Sequence, residues 1–174
     1  MLMVSKRLAF VFRFLIAFIL LSFAYQLYLS FYPTLDPFTS FTSKVVFHIL
    51  NYAHGNLETI SSPETKATIF YYNNKSIFQI IEGCNGLSVC ISFVSFVIAY
   101  STVNINAILF SVSGTLLTLI INILRICALG VLYINKYAYV TIIHDTLFPA
   151  TIYGFIVLLW LFWIRIERRL KEHE

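Results

Sequence analysis

Between Gly83 and Leu124 the chain carries no Asp, Glu, Lys, Arg or His. One helix crossing a bilayer core needs about 20 apolar residues, so an uncharged run of about forty suits two spans and their connection. The composition extends this reading to the whole chain. Of 174 residues, 59% are hydrophobic and 11% are charged. A soluble domain is about a quarter charged, so too few charges are present here to coat a water-facing surface. Disordered chains are polar and poor in aromatics, and 17 Phe with 11 Tyr exclude that class as well. The chain reads as an all-α polytopic membrane protein. About four transmembrane helices are expected, with a small extracytoplasmic segment compatible with a β-hairpin.

The first span is expected at 8–29, with Arg13 as its one internal charge and Pro33 and Pro37 punctuating its end. A secretory signal, with Lys6 and Arg7 as its basic region, is the competing reading. The apolar part is long and no clear small-x-small cleavage site follows, which favours a retained span. Within the uncharged run, Tyr100 to Asn106 is the most polar break, which places spans at 84–100 and 107–124. A re-entrant hairpin over 83–124 is the alternative. The last span is expected at 149–164 and is followed by a tail, 165–174, holding Arg165, Arg168, Arg169 and Lys171. Residues 126–143 read as an interfacial or re-entrant segment, because Lys136 with Tyr133, Asn135, Tyr137 and Tyr139 argues against a full span.

Basic residues near both termini place both ends in the cytoplasm by the positive-inside rule, which requires an even number of spans. The turn near Asn104 is then cytoplasmic although it carries no Lys or Arg. Residues 31–83 fall on the extracytoplasmic side. There, Phe38 to Tyr52 is compatible with an interfacial helix. Lys66 to Ile81 reads as two short strands around Asn73-Asn74, since Asn tolerates the positive φ of hairpin turns. Such a hairpin is either a lid on the bundle or an edge for an extended peptide; the lid is favoured. No nucleic-acid patch is present, because the basic residues sit mostly near the termini.

The same orientation gathers Cys84, Arg125 and His144 at one membrane depth. Cys84 stands in Glu82-Gly83-Cys84-Asn85-Gly86 at an inferred helix start, where the dipole and free N–H groups favour a thiolate. A buried packing residue is the plainer role for a free Cys. Arg125 ends the uncharged run; a cation there is functional or snorkels to the interface. Asn122, three residues earlier, shares its helix face. His144 precedes Asp145 and is either a general base or half of a solvated pair. Together the three make an acyl-transfer site: nucleophile, base and oxyanion or substrate clamp. Glu82 could favour the helix start by its charge. Cys90 and Cys127 read as core packing, and His48 and His54 lack partners at zinc-like spacing. No metal or organic cofactor is called for.

Glu82-Gly83-Cys84-Asn85-Gly86-Leu87, then Asn122-Ile123-Leu124-Arg125-Ile126, then His144-Asp145 resemble the motifs of the exosortase/archaeosortase family. The short chain and its EGCNG form look most like the XrtF-type members of Bacteroidetes. The resemblance covers about 66–150. It implies a cysteine transpeptidase or protease of the bacterial inner membrane, acting on its extracytoplasmic side. Its partners would be exported, membrane-anchored proteins whose C-terminal tail has a short motif, a membrane helix and a basic cluster. The resemblance implies Cys84 as nucleophile, Arg125 as substrate or oxyanion stabiliser and His144 as general base or acid. Asn85, Gly86, Asn122, Glu82 and Asp145 take supporting places. Asn85 and Ser88 stand where the family often has Ser and Arg, which bears on substrate recognition. Fewer spans than in longer members imply an additional membrane subunit. Two other readings stand beside this one: a non-catalytic subunit of an export or surface-assembly system, and a small transporter using Arg125 as an anion site. The second is weakened by the lack of acidic or paired polar groups deep in the other spans.

Overall fold

The computed structural model describes residues 2–101, 104–136 and 138–172. Thr102 and Val103 of the expected polar break, Tyr137 beside Lys136, and the last two residues of the tail lie outside these. The chain opens with α1 (Leu2–Ser30), whose most apolar stretch has no buried residue within the fold. Asp36 then caps α2 (Pro37–His54): its Oδ1 accepts from the N–H groups of Phe38 and Thr39, both at 3.0 Å, and Pro37 fills the first helical position. This is the usual start signal, since the side chain satisfies two of the N–H groups that a helix leaves open.

Three antiparallel strands follow in the order β1 (Leu57–Ser62), β2 (Ala67–Tyr72), β3 (Lys75–Ile81). Asn73 and Asn74 join β2 to β3 with φ of 49° and 62°, the left-handed pair that a two-residue hairpin demands. β1 pairs with β2 from Leu57↔Tyr72 to Ser62↔Ala67 and adds a strand to the expected pair.

A 3₁₀ turn at Glu82–Cys84 leads into α3 (Leu87–Tyr100), 14 residues long. α4 (Ile105–Ile134) is 30 residues long and is capped by Asn104, whose Oδ1 accepts from Ala107 N–H at 2.8 Å. A short α5 (Val140–Ile142) runs into a π turn (Ile143–Leu147) and then α6 (Phe148–Glu172). Among the described residues, three helical runs are long and apolar enough to cross a membrane: Arg7–Ser30, Ile105–Ile134 and Val140–Leu170. α3 is a shorter apolar helix beside them.

The described residues form two hydrophobic cores. The bundle core joins Phe93 and Val97 of α3, Ala107 of α4, and Ile156 and Trp163 of α6. Aromatic rings fill it: Phe96 stacks on Trp160 and Phe110 on Trp163, each at 4.6 Å, and Trp163 Nε1 donates to Ser101 Oγ at 2.8 Å. Gly114 of α4 faces the Phe93 ring where a Cβ would collide with it. The second core forms a cap. It joins Val46 and Leu50 of α2, Leu57, Phe70 and Ile80 of the sheet, and Ile126 and Cys127 of α4.

The cap explains why helix bounds differ from those expected. The third span, read as 107–124, continues to Ile134. Residues 126–134, expected as part of an interfacial or re-entrant segment, are the upper turns of α4, with Ile126, Cys127, Leu129 and Gly130 buried. Their apolar character serves a sheet and a helix that pack on them. The helix in the stretch read as the second span starts at Leu87 and not at 84, because Gly86 at φ +85° breaks the chain from the preceding turn.

Candidate active site

The turn bearing Cys84 sits at the seam of cap and bundle, and two asparagines hold it. Asn122 of α4 donates from Nδ2 to the Cys84 carbonyl at 2.8 Å. Asn85 is 1% exposed and bridges three segments. Its Nδ2 donates to Tyr25 Oη of α1 at 3.0 Å and to Thr39 Oγ1 of α2 at 2.9 Å, while its Oδ1 accepts from Leu87 N–H at 2.9 Å. A buried amide satisfied on both its oxygen and its nitrogen is a directional clamp, because leaving either end unpaired costs about 1–3 kcal/mol. Gly86 completes the arrangement. A Cβ there would lie 3.1 Å from the Asn122 side chain, and its positive φ already disfavours any other residue.

Cys84 itself ends the 3₁₀ turn and is half-buried against the cap core. This corrects its expected place at a helix start. α3 begins three residues later, and its Leu87 N–H is taken by Asn85. Cys90 and Cys127 are buried. Glu82 borders a water-sized cavity with Asp36 and Lys66, on the side of α1 and the loop after it.

Arg125 lies one turn beyond Asn122 towards the cap, a rise of about 4.5 Å. It is half-exposed and makes no ion pair or hydrogen bond among the described residues. His144 and Asp145 lie in the π turn, where His144 Nδ1 and Asp145 Oδ1 are 2.7 Å apart and both side chains are exposed. Pro149 follows the turn; its ring cannot sit against the carbonyl four residues back, and the Phe148 N–H reaches back to the Ile143 carbonyl in wider π spacing. Such single π turns recur at functional positions. The fold therefore brings Cys84, Asn85, Gly86 and Asn122 into one bonded unit with Arg125 one turn away. No hydrogen bond among the described residues links Cys84, Arg125 and His144 to one another. Tyr25 and Thr39 were not among the residues marked from sequence. The only signal for them was a polar side chain in an apolar run and a small polar residue just inside a helix start.

A mostly helical chain with long apolar spans and a cysteine-bearing turn at their junction with a small capping sheet defines a multi-pass membrane protein with a candidate thiol site. Residues 1–166 match the family model described as transmembrane exosortase (Exosortase_EpsH), and the chain belongs to that family. Neither the curated proteins nor the solved structures give a significant match.

Proposed function

We propose that this chain is a membrane-embedded cysteine transpeptidase that cleaves the C-terminal sorting tails of exported proteins. The observation that carries the reading is the Asn122–Cys84 hydrogen bond. It ties the turn bearing the one half-exposed cysteine to the helix turn bearing Arg125, so two of the family-like motifs form one unit. In the proposed reaction the Cys84 thiol gives its proton to His144 and the thiolate attacks a substrate peptide carbonyl. Arg125 balances the charge on the tetrahedral oxygen. The C–N bond breaks, the leaving amine takes the proton from His144, and the acyl group remains on Cys84 as a thioester. An acceptor nucleophile then releases it. The Nδ1–Asp145 contact leaves Nε2 of His144 to take the proton; no hydrogen bond among the described residues joins His144 to Cys84 in the free protein, so substrate has to close the site, and catalytic hydrogen bonds often form only in the complex.

The reading includes the bacterial inner membrane, both termini in the cytoplasm and the Cys84 turn on the extracytoplasmic side. The basic residues near both ends support that orientation. The EGCNG form of the turn supports an XrtF-type assignment. A second reading, a non-catalytic subunit of an export system, is favoured by the separation of His144 from Cys84 in the hydrogen-bond pattern.

Co-expression with tagged proteins carrying native C-terminal tails tests the proposal. A gel shift present with wild type and absent with Cys84→Ala is expected, with Arg125→Ala and His144→Ala each losing at least about a hundredfold. Unaltered tails with well-expressed wild type, or processing that survives Cys84→Ala, would replace the enzyme with the subunit reading.

A further inference from the structure

The other end of the bundle holds a second candidate site. Arg7 and Arg13 of α1 and Arg168 of α6 border one cavity of about 790 Å³. Its remaining wall is apolar: Phe10 and Val11 of α1, Phe96 and Tyr100 of α3, and Ile164 of α6. Phe10 fixes the geometry of this wall by meeting Phe96 edge-on at 5.5 Å and Tyr100 at 6.2 Å. The arginines come from opposite ends of the sequence, and the fold brings them together. All three are exposed, and none makes an ion pair or hydrogen bond among the described residues. Three like charges border one cavity, an arrangement that suits an anionic ligand. α1 and α6 are apolar helices of spanning length, so the cavity's apolar wall continues into the membrane while its guanidinium rim lies towards a helix end.

We propose that this groove binds an anionic phospholipid, with the phosphate between Arg7, Arg13 and Arg168 and an acyl chain along Phe10, Phe96 and Ile164. Arginine suits the phosphate because its planar fork donates in pairs to oxygen. The aromatic and aliphatic wall suits the chain, which a free phosphate would leave uncovered. The site is separate from the Cys84 turn. Phe10 and Tyr25 are fifteen residues apart on α1, which places the two about 22 Å apart along the helix. The bound lipid would pin α1 to the ends of α3 and α6.

Lipid retention by the purified full-length chain, read by native mass spectrometry, tests this. The probes are dioleoyl-phosphatidylglycerol and dioleoyl-phosphatidylcholine at equal concentration in neutral detergent. Phosphatidylglycerol is expected to be retained preferentially. Arg13→Gln with Arg168→Gln should cut that preference by about tenfold or more. Arg165→Gln with Arg169→Gln removes the same charge outside the groove and should leave it within about twofold, as expected for a contact that needs the groove rather than a general field. Arg13→Lys with Arg168→Lys keeps the charge, and partial retention there separates a bound headgroup from a folding defect. Equal retention of the two lipids would overturn the proposal. So would equal loss in the two glutamine pairs, or full displacement of phosphatidylglycerol by inorganic phosphate.

Discussion

The cap and the bundle solve the burial problem in opposite ways. In the cap, Val46, Leu50, Phe70 and Ile80 are 0–1% exposed, enclosed by α2, the sheet and the upper turns of α4. In the bundle, Phe93, Val97 and Trp163 are equally buried, yet each is surrounded by helices whose outer faces stay apolar: Leu20, Leu109 and Leu158 are 60–64% exposed. The cap excludes water by itself, whereas the bundle leaves its outer faces to lipid. The Cys84 turn lies where the two meet, and there neither device serves. Directional hydrogen bonds from Asn85 and Asn122 hold it instead.

This contrast can be broken by substitution. The largest effect is expected at Phe70, which is fully buried and stacks on Phe78 at 4.5 Å. Phe70→Ala should cost about 3–5 kcal/mol and open the cap, with protease cutting inside 57–81 while the spanning helices keep their circular dichroism. Trp163→Ala removes a comparable volume from the bundle and should leave that segment resistant. The same cleavage pattern in both would show one cooperative core instead of two. Asn85→Ala comes next, at about 3 kcal/mol for three lost hydrogen bonds, read as a lower melting temperature in detergent together with loss of tail processing. Unchanged stability would remove the clamp from the account. Gly86→Ala should cost about 1–2 kcal/mol, because its φ of +85° is left-handed; a neutral outcome would mean that Asn122 moves aside freely. The smallest change is Tyr25→Phe at about 1 kcal/mol. In a double-mutant cycle with Thr39→Val it should show coupling through Asn85, and strict additivity would argue that the two contacts are independent.

How legible the fold was depends on which neighbour each apolar residue faces. A turn at Asn73-Asn74 can be read because few residues accept two successive positive φ values. β1 could not be read, since Leu57-Glu58-Thr59-Ile60-Ser61-Ser62 buries little besides Leu57 and shows no alternation. The length of α4 was misjudged for a physical reason: Ile126, Leu129 and Gly130 look the same in sequence whether they face lipid or a sheet. At the site, the order of the apolar runs sets the Cys84 motif and the Asn122–Arg125 turn near one another, and the Asn122–Cys84 hydrogen bond joins the two turns. The contacts of Asn85 could not be read, because Thr39 and Tyr25 lie 46 and 60 positions away. The π turn at His144 was equally hidden, as it depends on how the chain accommodates Pro149.

One dimension of the bundle bears on the membrane around it. α3 joins the Cys84 turn to the arginine end in 14 residues, about 21 Å of helix, against a hydrocarbon core of about 30 Å. If α3 is the crossing at that point, the difference is taken up by a deformation of the bilayer or a recess in its surface, at a fraction of a kcal/mol per ångström. On the proposed topology, the turn carrying Cys84 would sit below the level at which neighbouring lipids end. On that topology bilayer thickness would be a variable of the site: lipids with shorter chains would relax the mismatch and bring water closer to the thiol, and lipids with longer chains would bury it.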